Sequence, residues 1–374
     1  MFRFIHTSDL HLGKRFGNFS GDLPGRLREA RHAVIGALAA AAGAHDAAVI
    51  LLAGDTFDTE TPAPDIRRQA LTEMGQHSAI SWVLLPGNHD SLQAATLWEA
   101  LRNDAPANVI LATDAVPIEL ADNVFLLPAP CTTRRPGRDL TEWMDGADTP
   151  EGAIRIGLAH GAIRDFSEDK VASEVIAPDR AARARLAYMA LGDWHGVLQV
   201  DARTWYSGTP EPDRFKHDSP GEALLVTISD AVAPPEIQAL PVARFAWRSL
   251  GLHLLDGDDP ATALAALLPE AGDRRHTLAR VIASGRSRLA ARTALAREVA
   301  GVHPDFAWLE LEDSELATEC ETGDLDAIDR GGALRDAAEA LLAEANDASR
   351  SAAEREIAGA ALGRLYSYTA TVSQ

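Results

Sequence analysis

The chain has 374 residues and a formal net charge of −20, from 35 Lys and Arg against 55 Asp and Glu. An average surface of that sign repels polyanions, which counts against a stand-alone nucleic-acid binder, although bound cations or a partner subunit can reverse the local field. Composition is that of a globular protein of two or three domains with no membrane-spanning run; the opening "MFRFIHTSDLHLGKRF" does not fit a signal peptide, and the distant Cys131 and Cys320 fit free thiols in a reducing cytoplasm.

In chain order, "FRFIHTSD" reads as a first strand and "LPGRLREARHAVIGALAAAA" as a helix with its apolar residues at helical spacing. "AAVILLAGD" is a buried strand, a helix follows near 64–78, and "AISWVLLPGNHD" is a strand running into a loop before a helix from about Gln93. "NVFLLPAP", "AIRIGLAHG", "LAYMALGD" and "RTWYSGTP" continue the series, so the first two thirds predict a sheet flanked by helices. The basic stretches "RRPGR" (134–138) and "DRAARARL" (179–186) read as solvated surface. From about residue 241, "PVARFAWRSLGLHLL" and "HTLARVIASG" look like strands around a helical "DPATALAALLP", a smaller α+β domain over 241–315. The acidic "ELEDSELATECETGDLD" reads as a linker and 325–366 as mostly helix, the last helix carrying Ile357, Ala361, Leu362 and Leu365 on one side. Packing against the protein itself, or against a partner, would use that side.

Almost every early strand ends in a polar cluster, where α/β sheets place their ligands. Five such ends line up: Asp9-Leu-His11, Gly54-Asp55, Gly87-Asn88-His89-Asp90, His160-Gly161 and Gly192-Asp193-Trp194-His195. The period of two along a strand predicts that Asp9 and His11 point to the same side and can share one metal. Asp55 can bridge two ions through its two oxygens, Asn88 offers a neutral oxygen, and His160 and His195 offer imidazole nitrogens. Mixed His, Asp and Asn ligands suit manganese, iron or zinc.

"DLH", "GD", "GNHD", "H" and a final Gly-x-x-His, in this order, resemble the calcineurin-like metallophosphoesterases, and "HTSDLHLGKRF", "LLAGDTFDTETP" and "YSGTPEPDRF" resemble their DNA-repair exonuclease (SbcD-like) branch. The resemblance covers residues 1–240 by motif and 241–315 only by position and texture. It implies an α/β (α+β) fold: a β-sandwich flanked by helices as catalytic domain (1–240), a capping domain (241–315), and a linker with a helical C-terminal segment (316–374). It also implies two divalent metal ions hydrolysing phosphodiesters of DNA, and an SbcC-like coiled-coil ATPase as partner; a homodimer is left open. By motif position, one ion falls to Asp9, His11, Asp55 and His195, and the second to Asp55, Asn88, His160 and Asp193. His89 would donate a proton to the leaving group, with Asp90 orienting it or capping the next helix.

The chain departs from the pattern twice. The family's last motif is usually Gly-His-x-His, and Asp193 stands where the first histidine is expected. A carboxylate there still binds a divalent ion but lowers the charge of the centre by about one unit, which tilts the second site from zinc toward manganese, magnesium or iron. If Asp193 points away instead, the second metal is weak or absent. Asp58, in "GDTFD", stands where some members have a histidine thought to act on the nucleic acid. Two other readings stay open: a small-molecule or cyclic-nucleotide phosphodiesterase, which the net charge of −20 favours, and a degenerate scaffold that keeps only partner binding.

Overall fold

The computed structural model of the chain describes residues 1–163, 176–216, 220–319, 325–326, 328–329 and 331–372; Cys320 lies outside them. They form two units, Met1–Ala246 and Trp247–Gln374.

The first unit begins with β1 (Phe2–Thr7), α1 (Leu23–Ala44), β2 (Val49–Leu52), α2 (Pro64–Gln76), β3 (Ser81–Leu84), α3 (Ala95–Asp104) and β4 (Val109–Leu111). It continues with β5 (Ile118–Ala121), β6 (Val124–Ala129), β7 (Ile154–His160), α4 (Arg180–Arg183), β8 (Tyr188–Gly192), β9 (Leu198–Gln199), β10 (Thr204–Tyr206), β11 (Glu222–Ile228) and β12 (Glu236–Pro241). Two six-stranded sheets result, ordered β12-β11-β1-β2-β3-β4 and β5-β6-β7-β8-β10-β9. Strands β1 to β4 are parallel in the first, and β6, β7, β8 and β10 are parallel in the second.

The central strands are apolar on both faces because both faces are covered. Phe4, Leu51, Val83 and Leu224 of the first sheet share one buried cluster with Leu126, Ile156, Leu158 and Tyr188 of the second, so the sheets form a sandwich. The outer face of the first carries Val34, Ile35, Leu38, Met74 and Trp98 from α1, α2 and α3. The second is covered by Met144, Ala181 and Ala184. Arg180, read above as surface, is buried there and paired with Asp139 and Asp145.

One polar group bridges the sandwich interior. His6 of β1 lies with Nδ1 2.9 Å from the Tyr188 hydroxyl and Nε2 3.2 Å from the Leu191 carbonyl of β8. A neutral ring, donating from Nε2 and accepting at Nδ1, satisfies both contacts. Burial accordingly lowers its pKa to about 3, against the weaker pull of the Leu191 carbonyl and Asp9.

In the second unit β13 (Ala246–Leu254), β14 (Thr277–Arg288) and β15 (Trp308–Glu319) form a three-stranded sheet with α5 (Pro260–Leu267), α6 (Ala271–Arg274) and α7 (Leu289–Val302). The acidic stretch expected as a linker is largely β15, paired parallel with β14 from Trp308 to Glu319. Leu309 and Leu316 are buried while Glu310, Glu312 and Glu315 are exposed, so the charges belong to the wet face of a strand. Helices α8 (Ala333–Asn346) and α9 (Ala352–Val372) follow. On α9 the packed side runs through Ala358, Leu362, Leu365 and Tyr366, and Ile357, placed on that side by the sequence reading, is 69% exposed.

Candidate metal centre

Parallel pairing puts the carboxyl ends of β1, β2 and β3 in line (Thr7 beside Leu52, Leu52 beside Leu84) and His160 beside Gly192 at the ends of β7 and β8. The five polar clusters leave from these ends. Asp9 and His11 lie beyond the end of β1, so strand alternation does not bring them together as expected. Both have left-handed backbones, with φ of 55° and 43°. Asp55 (φ 53°) and Asp193 (φ 97°) do as well, so four of the eight non-glycine residues with positive φ among the described residues are here. Such conformations are costly for non-glycine residues and persist where surrounding contacts over-determine them.

Those contacts are explicit. The Asp9 and His11 amides donate to the Gly54 and Asp55 carbonyls at 3.1 and 3.0 Å. The Asp193 amide donates to Asp9 Oδ2 at 3.1 Å, and the His89 amide to Asp55 Oδ1 at 2.8 Å. Each of these two carboxylates thus spends one oxygen on a backbone amide and keeps the other for the centre. Gly54 is needed twice over: its φ is +90°, and a Cβ there would collide with the His160 ring. A Cβ on Gly87 would strike the Asp55 carboxylate.

The remaining ligand-type atoms converge. His11 Nε2 lies 3.7 Å from both Asp9 Oδ1 and Asp55 Oδ2, and His195 Nε2 lies 3.8 Å from Asp9 Oδ1. His160 Nε2 is 3.5 Å from Asp55 Oδ2 and 3.8 Å from Asp193 Oδ1. Asn88 Nδ2 donates to Asp193 Oδ1 at 3.1 Å. All seven residues singled out as ligands in the sequence therefore meet in one place. Buried Asp9 Oδ1, His11 Nε2, Asn88 Oδ1 and His160 Nε2 make no hydrogen bond. Polar atoms left so cost about 1–3 kcal/mol each, and a cluster of acceptors facing one another fits divalent cations.

The electrostatics agree. Burial pushes Asp9 up, but His195, His160 and His11 outweigh it and hold the carboxyl below its ordinary range. Burial keeps Asp55 well above that range despite His160. Burial also opposes charge on His160, yet Asp55, Asp9 and Asp193 raise it to about 9. The carboxylates thus create a demand for positive charge at this point.

Asp90 does not orient His89 and does not cap α3. It is fully buried, accepting from the Gly87 amide at 2.7 Å and the Phe57 amide at 3.0 Å, which ties two ligand loops together. The imidazole of His89 meets the Asp58 carbonyl instead, through Nδ1 at 2.9 Å. The residue before α3 is Ala94, without a side-chain cap. Sequence reasoning also missed an outer ring of charge. Asp213 lies 3.2 Å from His195 Nδ1 and is itself held by Lys14 at 2.5 Å and by buried Arg31 at 3.6 Å. Arg31 donates to the Leu10 carbonyl and, at 2.9 Å, to that of Glu211. An Arg amid an apolar helix face and an Asp beside Arg214 in "EPDRF" were the only signals.

The family model described as calcineurin-like phosphoesterase matches residues 2–206. The chain belongs to that family. It is accordingly a metal-dependent phosphoesterase with a site suited to divalent ions. The D subunit of the nuclease SbcCD of Escherichia coli strain K12, like that of O157:H7, is 39% identical over 102 residues, 26% of this chain and 23% of the relative's length. The crystal structure of TT1561 of Thermus thermophilus is 10% identical with a TM-score of 0.37, covering 64% of this chain and 98% of that one. Among the described residues no helix is long and apolar enough to cross a membrane.

Proposed function

We propose that this calcineurin-like phosphoesterase is a two-metal phosphodiesterase that cleaves DNA as the nuclease subunit of a complex with an SbcC-like coiled-coil ATPase. The observation that carries the chemistry is the convergence of unbonded Asp9 Oδ1, His11 Nε2, Asn88 Oδ1 and His160 Nε2 around Asp55. The partial likeness to a nuclease subunit supports DNA as substrate and the ATPase as partner.

Asp9, His11, Asp55 and His195 would hold one divalent ion, and Asp55, Asn88, His160 and Asp193 the other. When bound, such ions polarise phosphate oxygens and acidify a water so that it attacks phosphorus at neutral pH. Asp193 brings a negative charge where an imidazole would be neutral, which favours manganese over zinc. His89 acts on the leaving group: Nδ1–H donates to the Asp58 carbonyl, so the imidazolium form would hand over its Nε2 proton and be left as the neutral Nδ1–H tautomer. Burial of Asp9, His11 and Asp55 keeps solvent from competing for these contacts.

The net charge of −20 favours a second reading, a small-molecule or cyclic-nucleotide phosphodiesterase. Hydrolysis of a chromogenic diester in the presence of duplex DNA ends separates the two. Inhibition by DNA ends at micromolar concentration or below supports the nuclease; rapid diester turnover that DNA does not slow overturns it.

A further inference from the structure

We propose that Asp58 and Asp213 are positioning carboxylates that preset the two histidines of one ion site; the inference rests on the two-ion reading above. Metal-binding histidines ordinarily give their second nitrogen to a carboxylate or carbonyl, which fixes the tautomer and makes the ligating nitrogen more basic. Here His195 Nδ1 hydrogen-bonds Asp213 Oδ1 at 3.2 Å, and His11 Nδ1 faces Asp58 Oδ1 at 3.3 Å as an ion-pair contact outside hydrogen-bond alignment, which a small turn of either side chain would close. The opposite nitrogen of each ring, Nε2, is the one that approaches Asp9 Oδ1, at 3.7 and 3.8 Å. The two rings stack, with centroids 5.1 Å apart, so a tilt of either disturbs both. The third histidine is backed differently, with His160 Nδ1 2.8 Å from the neutral Ala53 carbonyl. Both carboxylate-backed rings therefore belong to the Asp9 side of the centre.

Asp58 has a double task. Its side chain backs His11, while its backbone carbonyl holds His89 Nδ1, and the His11 and His89 rings meet edge to face at 4.9 Å. The aspartate at this departure from the family motif thus faces a candidate ligand directly, within ion-pair distance of its second nitrogen. Only the first task depends on the side chain. Asp213 is buried beneath Lys14 and Arg31 and its variants risk misfolding, whereas the Asp58 side chain is 23% exposed. Asp58 is therefore the cleaner test.

The full chain, freed of metal, is titrated with Mn2+ by calorimetry, and with Co2+ while its visible absorption is followed, for wild type, Asp58→Asn, Asp58→Ala and Asp213→Asn. The wild type takes up two ions. Asp58→Ala weakens one of them by about 10–100-fold and alters the Co2+ band of that site alone. Asp58→Asn, which keeps an acceptor oxygen for Nδ1, falls between. Folded Asp58→Ala that binds both ions with wild-type affinity and spectrum overturns the proposal. A wild type that binds no ion overturns the two-ion centre itself, and the positioning role with it.

Discussion

His160 Nε2 stands 3.5 Å from Asp55 Oδ2, although His160 ends a strand of one sheet and Asp55 follows a strand of the other. A cation between them ties the two halves of the sandwich together. Mn2+ at about a hundred times its dissociation constant should raise the melting temperature of the chelator-treated protein by roughly 5–10 °C. His160→Ala should lose most of that rise. Thermal melts with and without Mn2+ check it, and a wild-type transition that the ion leaves in place contradicts the bridge.

His89 meets the centre through its backbone amide on Asp55 and its ring beside His11 and Asp58, and it is not in either ligand set proposed above, so removing its side chain should spare those ligands. His89→Ala is expected to keep its bound metal and lose turnover by on the order of 10²–10⁴. Metal analysis beside steady-state rates decides the point. Loss of an ion would make His89 a ligand or a structural prop.

Asp193 is the third test. Its carboxylate reaches His160 and Asn88, so Asp193→Ala should empty the second site and keep the first filled. Asp193→His should shift preference toward zinc, and its pH optimum should fall because a more positive centre acidifies the attacking water further. Metal content and pH–rate profiles of the two variants report this. If Asp193→Ala retains two ions and near-normal rates, Asp193 is no ligand.

His6 contributes to the pH dependence of stability. Its folded pKa, about 3, lies below the ordinary 6.5 because burial disfavours the charged ring. The unfolded chain therefore takes up a proton first as pH falls, so this stabilisation is complete above pH 6.5 and is lost progressively toward pH 3. The slope from this group approaches about 1.4 kcal/mol per pH unit. Urea midpoints between pH 7.5 and 4.5 should fall more steeply for wild type than for His6→Asn. Equal slopes would show that His6 does not remain neutral in the fold.

Much of this was legible in the sequence. Buried parallel strands announce themselves as unbroken apolar runs, and the first unit's strands through β3 and from β6 to β8 were read from such runs. The candidate ligands could be picked out in the sequence because each stands at, or within a few residues of, the end of an apolar run. What failed has identifiable causes. The pairing of Asp9 with His11 was ascribed to strand alternation, but two left-handed residues produce it; Asp and His are enriched in that conformation, yet the residue type alone does not mark where it occurs. β15 was hidden because charges on its wet face look like a linker. Asp90 was assigned by adjacency to His89, while its actual partners are the amides of Gly87 and Phe57, the latter 33 positions away. Asp213 stands inside "YSGTPEPDRF" but 18 positions from His195, with nothing in that stretch to mark it as the partner of a histidine, and Arg31 lies in α1 outside any motif.

The central claim is tested most directly by strand cleavage. The purified chain, stripped of metal, is incubated with plasmid and linear DNA with and without Mn2+. Cleavage that requires Mn2+ and disappears in Asp55→Asn, the shared ligand, is the predicted result. No cleavage of either DNA by a chain carrying two bound ions, with brisk hydrolysis of a small diester, would contradict it.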